Sequence, residues 1–162
     1  MTGPGMAFWR FSLALYGRPG VADSCLKLQD EAGADVNLLL LGFWRAEQGL
    51  APWKAAEIEA LAAAIAPVNA VLRPFRQARR GIKALIADTV DAGDLYEQAK
   101  ALELRLEQRV QARLAELTPA STATQAGSDS AEAHLAAYMA TLPQPGHPAA
   151  AALLVAAGFS VS

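Results

Sequence analysis

The sequence predicts an all-α protein: a single-domain helical bundle of about five to six helices, with a flexible linker and a weakly helical C-terminal tail. Three observations carry this expectation. Ala supplies a large share of the 53% hydrophobic residues, while Val, Ile, Phe and Tyr are sparse, and Ala favours helix where the others favour strand. Apolar residues recur at i, i+3 or i+4, and i+7 in several segments, the spacing of one helical face. Gly and Pro interrupt those segments at intervals that suit helices.

Residues 6–17 hold Met6, Phe8, Trp9, Phe11, Leu13, Leu15 and Tyr16, too apolar for a surface helix, so a buried first helix is expected. Gly17-Arg18-Pro19-Gly20 breaks it, and Pro19 suits the first turn of a second helix. Val21, Cys25 and Leu28 form the buried stripe of that helix, and Gly33 is placed to end it in a left-handed cap. Asp35 precedes Val36-Asn37-Leu38-Leu39-Leu40-Leu41-Gly42-Phe43-Trp44. A side-chain carboxylate there accepts from the free N–H of Asn37 or Leu38 and starts a third helix. Being apolar almost all round, that helix belongs at the centre of the bundle.

Pro52 is expected to open a fourth helix, with Ile58, Leu61, Ile65 and Val68 as its stripe. Pro67 and Pro74 each remove a backbone donor and should kink or interrupt it. From Phe75 onward, Phe75, Ala78, Ile82, Leu85 and Ile86 face one side, and Asp88 to Gly93 form a turn. Asp94, with Glu97 three residues on, resembles a capping box for the longest helix, about 95–117. Its stripe is Leu95, Ala99, Leu102, Leu106, Val110, Leu114 and Leu117, and Pro119 ends it. The helical bundle domain is therefore placed at 1–117. Residues 118–130, rich in Ser, Thr, Ala and Gly, are expected to be a flexible linker, and 131–162 a weakly helical or disordered tail.

Composition excludes several functions. The formal net charge of −2 gives no whole-molecule attraction to nucleic acid or anionic membrane. A single cysteine, Cys25, forms no intramolecular disulfide and suits a reducing compartment. The N-terminus lacks the pattern of a signal peptide. No uninterrupted apolar run approaches the roughly 20 residues of a spanning helix, so no membrane span is expected and the expected location is cytoplasmic.

Few residues offer chemistry. The two histidines, His134 and His147, both lie in the tail, so neither a facing pair of Glu-x-x-His motifs nor a Cys/His zinc set exists. No metal, no cofactor and no catalytic residue is expected. Cys25 sits on an apolar stripe and is expected to be a core residue. Asp30, Asp35 and Asn37 flank the break at Gly33, where two carboxylates that approach each other hold a cation or do acid–base work. The bland alternative makes Asp35 a helix cap and gives Asp30 an arginine partner. Arg73, Arg76, Arg79, Arg80 and Lys83 occur with no acid before Asp88. Of these, Arg76, Arg79, Arg80 and Lys83 share one side of a helix and form the strongest candidate binding set. Arg105, Arg109 and Arg113 form a second row at i, i+4, i+8. Such faces are most often solvated or internally paired. An acidic protein partner ranks next and phosphate or nucleic acid last, because no exposed aromatics are interleaved with the basic residues.

The strings Leu13-Ala14-Leu15-Tyr16, Arg18-Pro19-Gly20-Val21, Cys25-Leu26-Lys27-Leu28-Gln29-Asp30 and Gly33-Ala34-Asp35-Val36-Asn37-Leu38-Leu39-Leu40, followed by Trp44, stand in this order. Together with Pro74-Phe75-Arg76-x-x-Arg79-Arg80-x-x-Lys83, they resemble a family of small proteobacterial proteins, the domain of unknown function 2390. The resemblance covers roughly residues 6–110. It implies a bacterial cytoplasmic protein and supplies no activity, substrate or catalytic residue. The sequence thus favours a non-enzymatic protein-interaction or regulatory protein, acting on an acidic partner or through self-association. A small-ligand-binding or enzymatic bundle with a site near Asp30, Asp35 and Asn37 comes second. Weak nucleic-acid or phosphate binding through Arg76, Arg79, Arg80 and Lys83 comes third.

Overall fold

The computed structural model describes residues 3–88, 90–120 and 128–159. Among them are seven helices: α1 (Pro4–Tyr16), α2 (Val21–Ala32), α3 (Val36–Glu47), α4 (Ala55–Ala84), α5 (Ala92–Leu117), α6 (Ser128–Met139) and α7 (Ala149–Ala156). The all-α class is as the sequence indicates.

Helix α3 organises the rest. Gly33 ends α2 with φ +74°, a conformation glycine adopts without strain, and the Ala34 N–H returns to the Leu28 carbonyl at 3.1 Å. Asp35 then caps α3, its Oδ1 accepting from the N–H groups of Asn37 (2.8 Å) and Leu38 (3.3 Å). Every residue from Asn37 to Ala46 is buried. Helix α1 packs against α3 through Phe8 on Trp44, with ring centroids 5.1 Å apart. Helix α6 covers a second side, so closely that a Cβ on Gly42 would lie 3.6 Å from the His134 Cβ. Phe159, just after α7, stacks on Phe43 at 5.7 Å.

The first helix is less buried than its composition implies. Phe8, Trp9, Ser12 and Leu15 face inward while Leu13 is exposed. Pro19 lies in the turn before α2, which starts at Val21 after a left-handed Gly20. Pro52 likewise precedes α4, whose first turn is closed by the Lys54 N–H donating to the Glu57 carboxylate at 2.9 Å.

Helix α4 runs without interruption through Pro67 and Pro74. Both prolines, and the Ala63 and Ala70 residues whose carbonyls lose their usual N–H partners, are exposed, so solvent can satisfy those oxygens. By length and composition α4 is also apolar enough to cross a membrane, with a mean hydropathy of 1.5, yet only 22% of that window is buried. The apolar content is interrupted by Glu57, Glu59 and Asn69, so a search for uninterrupted runs passes over it. Asp94 does not cap α5. The helix begins at Ala92, behind Asp91 at φ +68°, which places Asp94 and Glu97 inside it. Of the α5 stripe only Val110 and Leu114 are buried; Leu95, Leu102 and Leu117 are exposed. The far half of the α4–α5 hairpin therefore stands out from the core as an arm.

Residues 121–127, most of the expected linker, and 160–162 lie outside the described residues. The rest of the segment expected as a weakly helical or disordered tail forms α6 and α7, packed on α3 and α2. Ala131, His134, Leu135, Tyr138, Met139, Leu153 and Leu154 belong to the buried core. Tyr138 accepts from the Asp35 N–H at 2.7 Å, and the Trp53 indole N–H donates to the His134 carbonyl at 2.8 Å. His134 is fully buried, its Nε2–H donating to the Leu50 carbonyl at 3.1 Å while Nδ1 has no partner. Burial lowers its pKa from 6.5, partly opposed by that hydrogen bond. As pH falls below about 6.5, the unfolded chain takes up a proton that the folded chain refuses, so stability is lost over the window down to the lowered folded value. Urea midpoints measured from pH 7.5 to pH 5 should fall on the acid side, and His134→Gln should flatten that dependence. An identical slope in the variant would remove His134 as the cause.

Candidate functional site

Two concavities bring together most of the residues singled out by the sequence. They lie along the same side of α4. The first is a groove lined by Gly33, Asp35, Leu38, Asn69, Arg73 and Tyr138 among others. Here both oxygens of Asp35 are engaged, Oδ1 by the α3 cap and Oδ2 by the Asn69 amide at 2.7 Å. Asp35 is a structural anchor that joins the start of α3 and the end of α6 to α4. Asp30 lines neither concavity. It is exposed on α2 and makes no hydrogen bond or ion pair among the described residues. The expected approach of Asp30 to Asp35 therefore does not occur, because the Gly33 turn directs them to different surfaces, and the arginine partner for Asp30 is not formed either.

The second concavity, about 370 Å³, lies where α1, α2, α3, α4 and α5 meet. Asn37 from α3 and Gln111 from α5 line it, with the Gln111 Nε2–H donating to Asn37 Oδ1 at 2.9 Å. Ser12 lies beside them on α1. Helix α1 reaches α5 here because small residues meet near its start, where a Cβ on Gly5 would be 3.1 Å from the Ala112 backbone. Trp9, Leu13, Tyr16, Leu26, Leu40 and Leu104 supply apolar wall. Burial raises the Tyr16 phenol above its usual pKa, with Cys25 and Glu107 adding to the effect.

The rim carries the basic cluster. Arg76 bonds Glu107 at 2.7 Å and approaches Glu103 at 3.5 Å. Arg79 bonds Glu103 and donates to the Tyr96 hydroxyl at 3.2 Å, and the Glu103 hydrogen bond raises the Arg79 pKa. Arg80 lines the rim without a partner among the described residues, and Lys83 is exposed beyond it. Half of the basic row is thus consumed by the acidic flank of α5, which weakens its claim on phosphate. In the second row, Arg113 pairs with Glu116 at 3.4 Å, while Arg105 and Arg109 are exposed without partners among the described residues. Asn37, Arg76, Arg79 and Arg80 share one concavity; Asp35 faces another, and Asp30 and Lys83 stand apart.

Sequence reasoning missed Ser12 and Gln111, the two most buried polar residues of the concavity. No spacing marks them: Ser12 stands alone among the apolar residues of α1, and Gln111 follows Glu107 and Gln108 on a mixed face of α5. Among the described residues no three His, Cys, Asp or Glu side chains converge as a metal site. Cys25 is fully buried, and burial pushes its thiol up to about 12, far from the thiolate a nucleophile needs. Native protein at pH 8 should react with a chromogenic disulfide reagent only on unfolding, releasing one thiolate per chain in urea. Rapid stoichiometric labelling without urea would contradict the burial.

The fold and this site define an all-α bundle with a projecting helical hairpin and a mixed apolar and amide-lined cleft at its root. Residues 7–114, about two thirds of the chain, match the family model described as "Protein of unknown function (DUF2390)". The chain belongs to that family. Comparison with curated proteins and with solved structures found no match. The matched span contains every residue of the cleft and ends before α6.

Proposed function

We propose that this chain is a non-enzymatic interaction protein of the bacterial cytoplasm that acts by docking helix against helix, and that its partner is a second copy of itself. The observation that carries this is the side of the α4–α5 hairpin turned away from the cleft. At ~100° per residue, Ala60, Ala64, Val71, Ala78 and Leu85 form one continuous stripe on α4, free of charge along its length. Leu95 and Leu102 lie on the same side of α5. Leu85 and Leu95 are 52% and 54% exposed, unusual for leucines at helical spacing. An isolated hairpin buries only the seam between its helices and leaves the flanking stripe half covered; a second hairpin completes a four-helix arrangement.

Charge favours an antiparallel copy over an unrelated acidic partner. The tip carries Asp88, Asp91 and Asp94, all exposed and unpaired among the described residues. Arg105, Arg109 and Arg113 border the same face nearer the core, roughly 20 Å away along α5. Two hairpins laid head to tail set each acidic tip against the other's arginine row. This is a self-complementary, two-fold contact that closes at the dimer. The family resemblance supports the bacterial, cytoplasmic setting.

Sedimentation at micromolar concentration and low salt should show a dimer. Leu85→Glu with Leu95→Glu should convert it to a monomer of unchanged helix content, since both side chains are exposed. High salt or Arg109→Glu should weaken the dimer. A wild-type monomer would overturn the proposal, including a monomer that instead binds an acidic protein or lipid vesicles through this face.

A further inference from the structure

The cleft on the opposite side of the hairpin has features that self-association does not use. Ser12 and Gln111 are each 3% exposed, and Ser12 Oγ and Gln111 Oε1 have no hydrogen-bond partner among the described residues. Buried polar atoms are nearly always paired, and two unpaired ones on residues that line one cavity reduce stability. Asn37 Oδ1 is occupied by Gln111, while its Nδ2–H group makes no hydrogen bond among the described residues. The lining therefore presents an acceptor on Gln111, a donor on Asn37 and a hydroxyl on Ser12. Above them, Leu13, Leu26 and Leu104, three of the large apolar side chains left exposed by the fold, all line this one cleft.

We infer that the cleft binds a small amphipathic carboxamide, with its amide edge against Asn37, Gln111 and Ser12 and its apolar chain or ring along Trp9 and the three leucines. The amide N–H donates to Gln111 Oε1, and its carbonyl accepts from Asn37 Nδ2–H and the Ser12 hydroxyl. A carboxylate matches less well, because it has no donor for Gln111 and because Glu103 and Glu107 already neutralise Arg76 and Arg79 at the rim. Because Ser12 Oγ and Gln111 Oε1 are buried, side chains of the lining must shift for the ligand to reach them.

The test uses octanamide, with octanoate and octanol as comparisons, followed by calorimetry, tryptophan fluorescence and thermal shift on the full chain. Octanamide should bind saturably and tightest of the three. Ser12→Ala should leave the ligand-free melting temperature unchanged or higher, since it removes an unpaired buried hydroxyl, whereas Gln111→Leu also takes the donor from Asn37 Oδ1 and should lower it. Each should weaken octanamide binding by about tenfold or more, the penalty of a lost hydrogen bond in a dry site. A purely structural role predicts lower stability with unchanged binding for Ser12→Ala, and unchanged binding for Gln111→Leu. Leu85→Glu with Leu95→Glu should bind octanamide like wild type, which separates this inference from self-association. No saturable binding, tighter binding of octanoate, or full-strength binding by both cleft variants would overturn it.

Discussion

A helix buried on every side must be covered on every side, and α3 imposes that constraint on the whole molecule. From Asn37 to Ala46 it offers water no face. Its position is set by a short piece of backbone chemistry, the left-handed Gly33 followed by the Asp35 cap. Around that axis α1 supplies Phe8, the α3–α4 loop supplies Trp53, α6 supplies His134 and Tyr138, and the end of α7 supplies Phe159. The polar atoms at the start of α3 are shared out with equal economy. Asp35 caps with one oxygen and holds α4 through Asn69 with the other, and its own N–H goes to Tyr138.

Once α3 is enclosed, α4 and α5 are longer than the core needs. The surplus forms the arm, which holds itself together with a partly polar seam, Arg76 and Arg79 against Glu103, Glu107 and Tyr96. A polar seam specifies register and pairing between two helices more than it adds stability. It also segregates the surface of the arm. One side holds the amide-lined cleft and its charged rim. The other is apolar and uncharged along α4, with acidic tip and basic root. The same hairpin thus presents two separable surfaces, the cleft on one side and the apolar stripe on the other.

Local rules were legible in the sequence wherever the chemistry was local. The Gly33 cap, the Asp35 cap and the stripe Ile58, Leu61, Ile65 depend on neighbours within a turn or two and are present as expected. Of the kink or interruption expected at Pro67 and Pro74, no interruption occurs, for a reason that periodicity contains: seven residues apart, both fall on the exposed side of α4. The packing of α6 was not legible, because its buried face includes Ala131, His134 and Tyr138, a set whose value lies in particular partners and not in hydrophobicity. The arginine row was legible as a row. That half of it meets Glu103 and Glu107 depends on the pairing of two helices, which no spacing within one helix reveals. The cleft draws on five helices at once, and Ser12 and Gln111 enter it only through the fold.

The dependence of the structure on an enclosed α3 is tested most directly by native-state hydrogen exchange read residue by residue. The amides of α3 should exchange only through global unfolding, those of α6 should share that high protection, and the arm from Leu85 to Ala99 should open locally at much lower free energy. Fast, independent exchange of α6 while α3 stays protected would contradict the account, because it would show that α3 is stable without the helix said to enclose it.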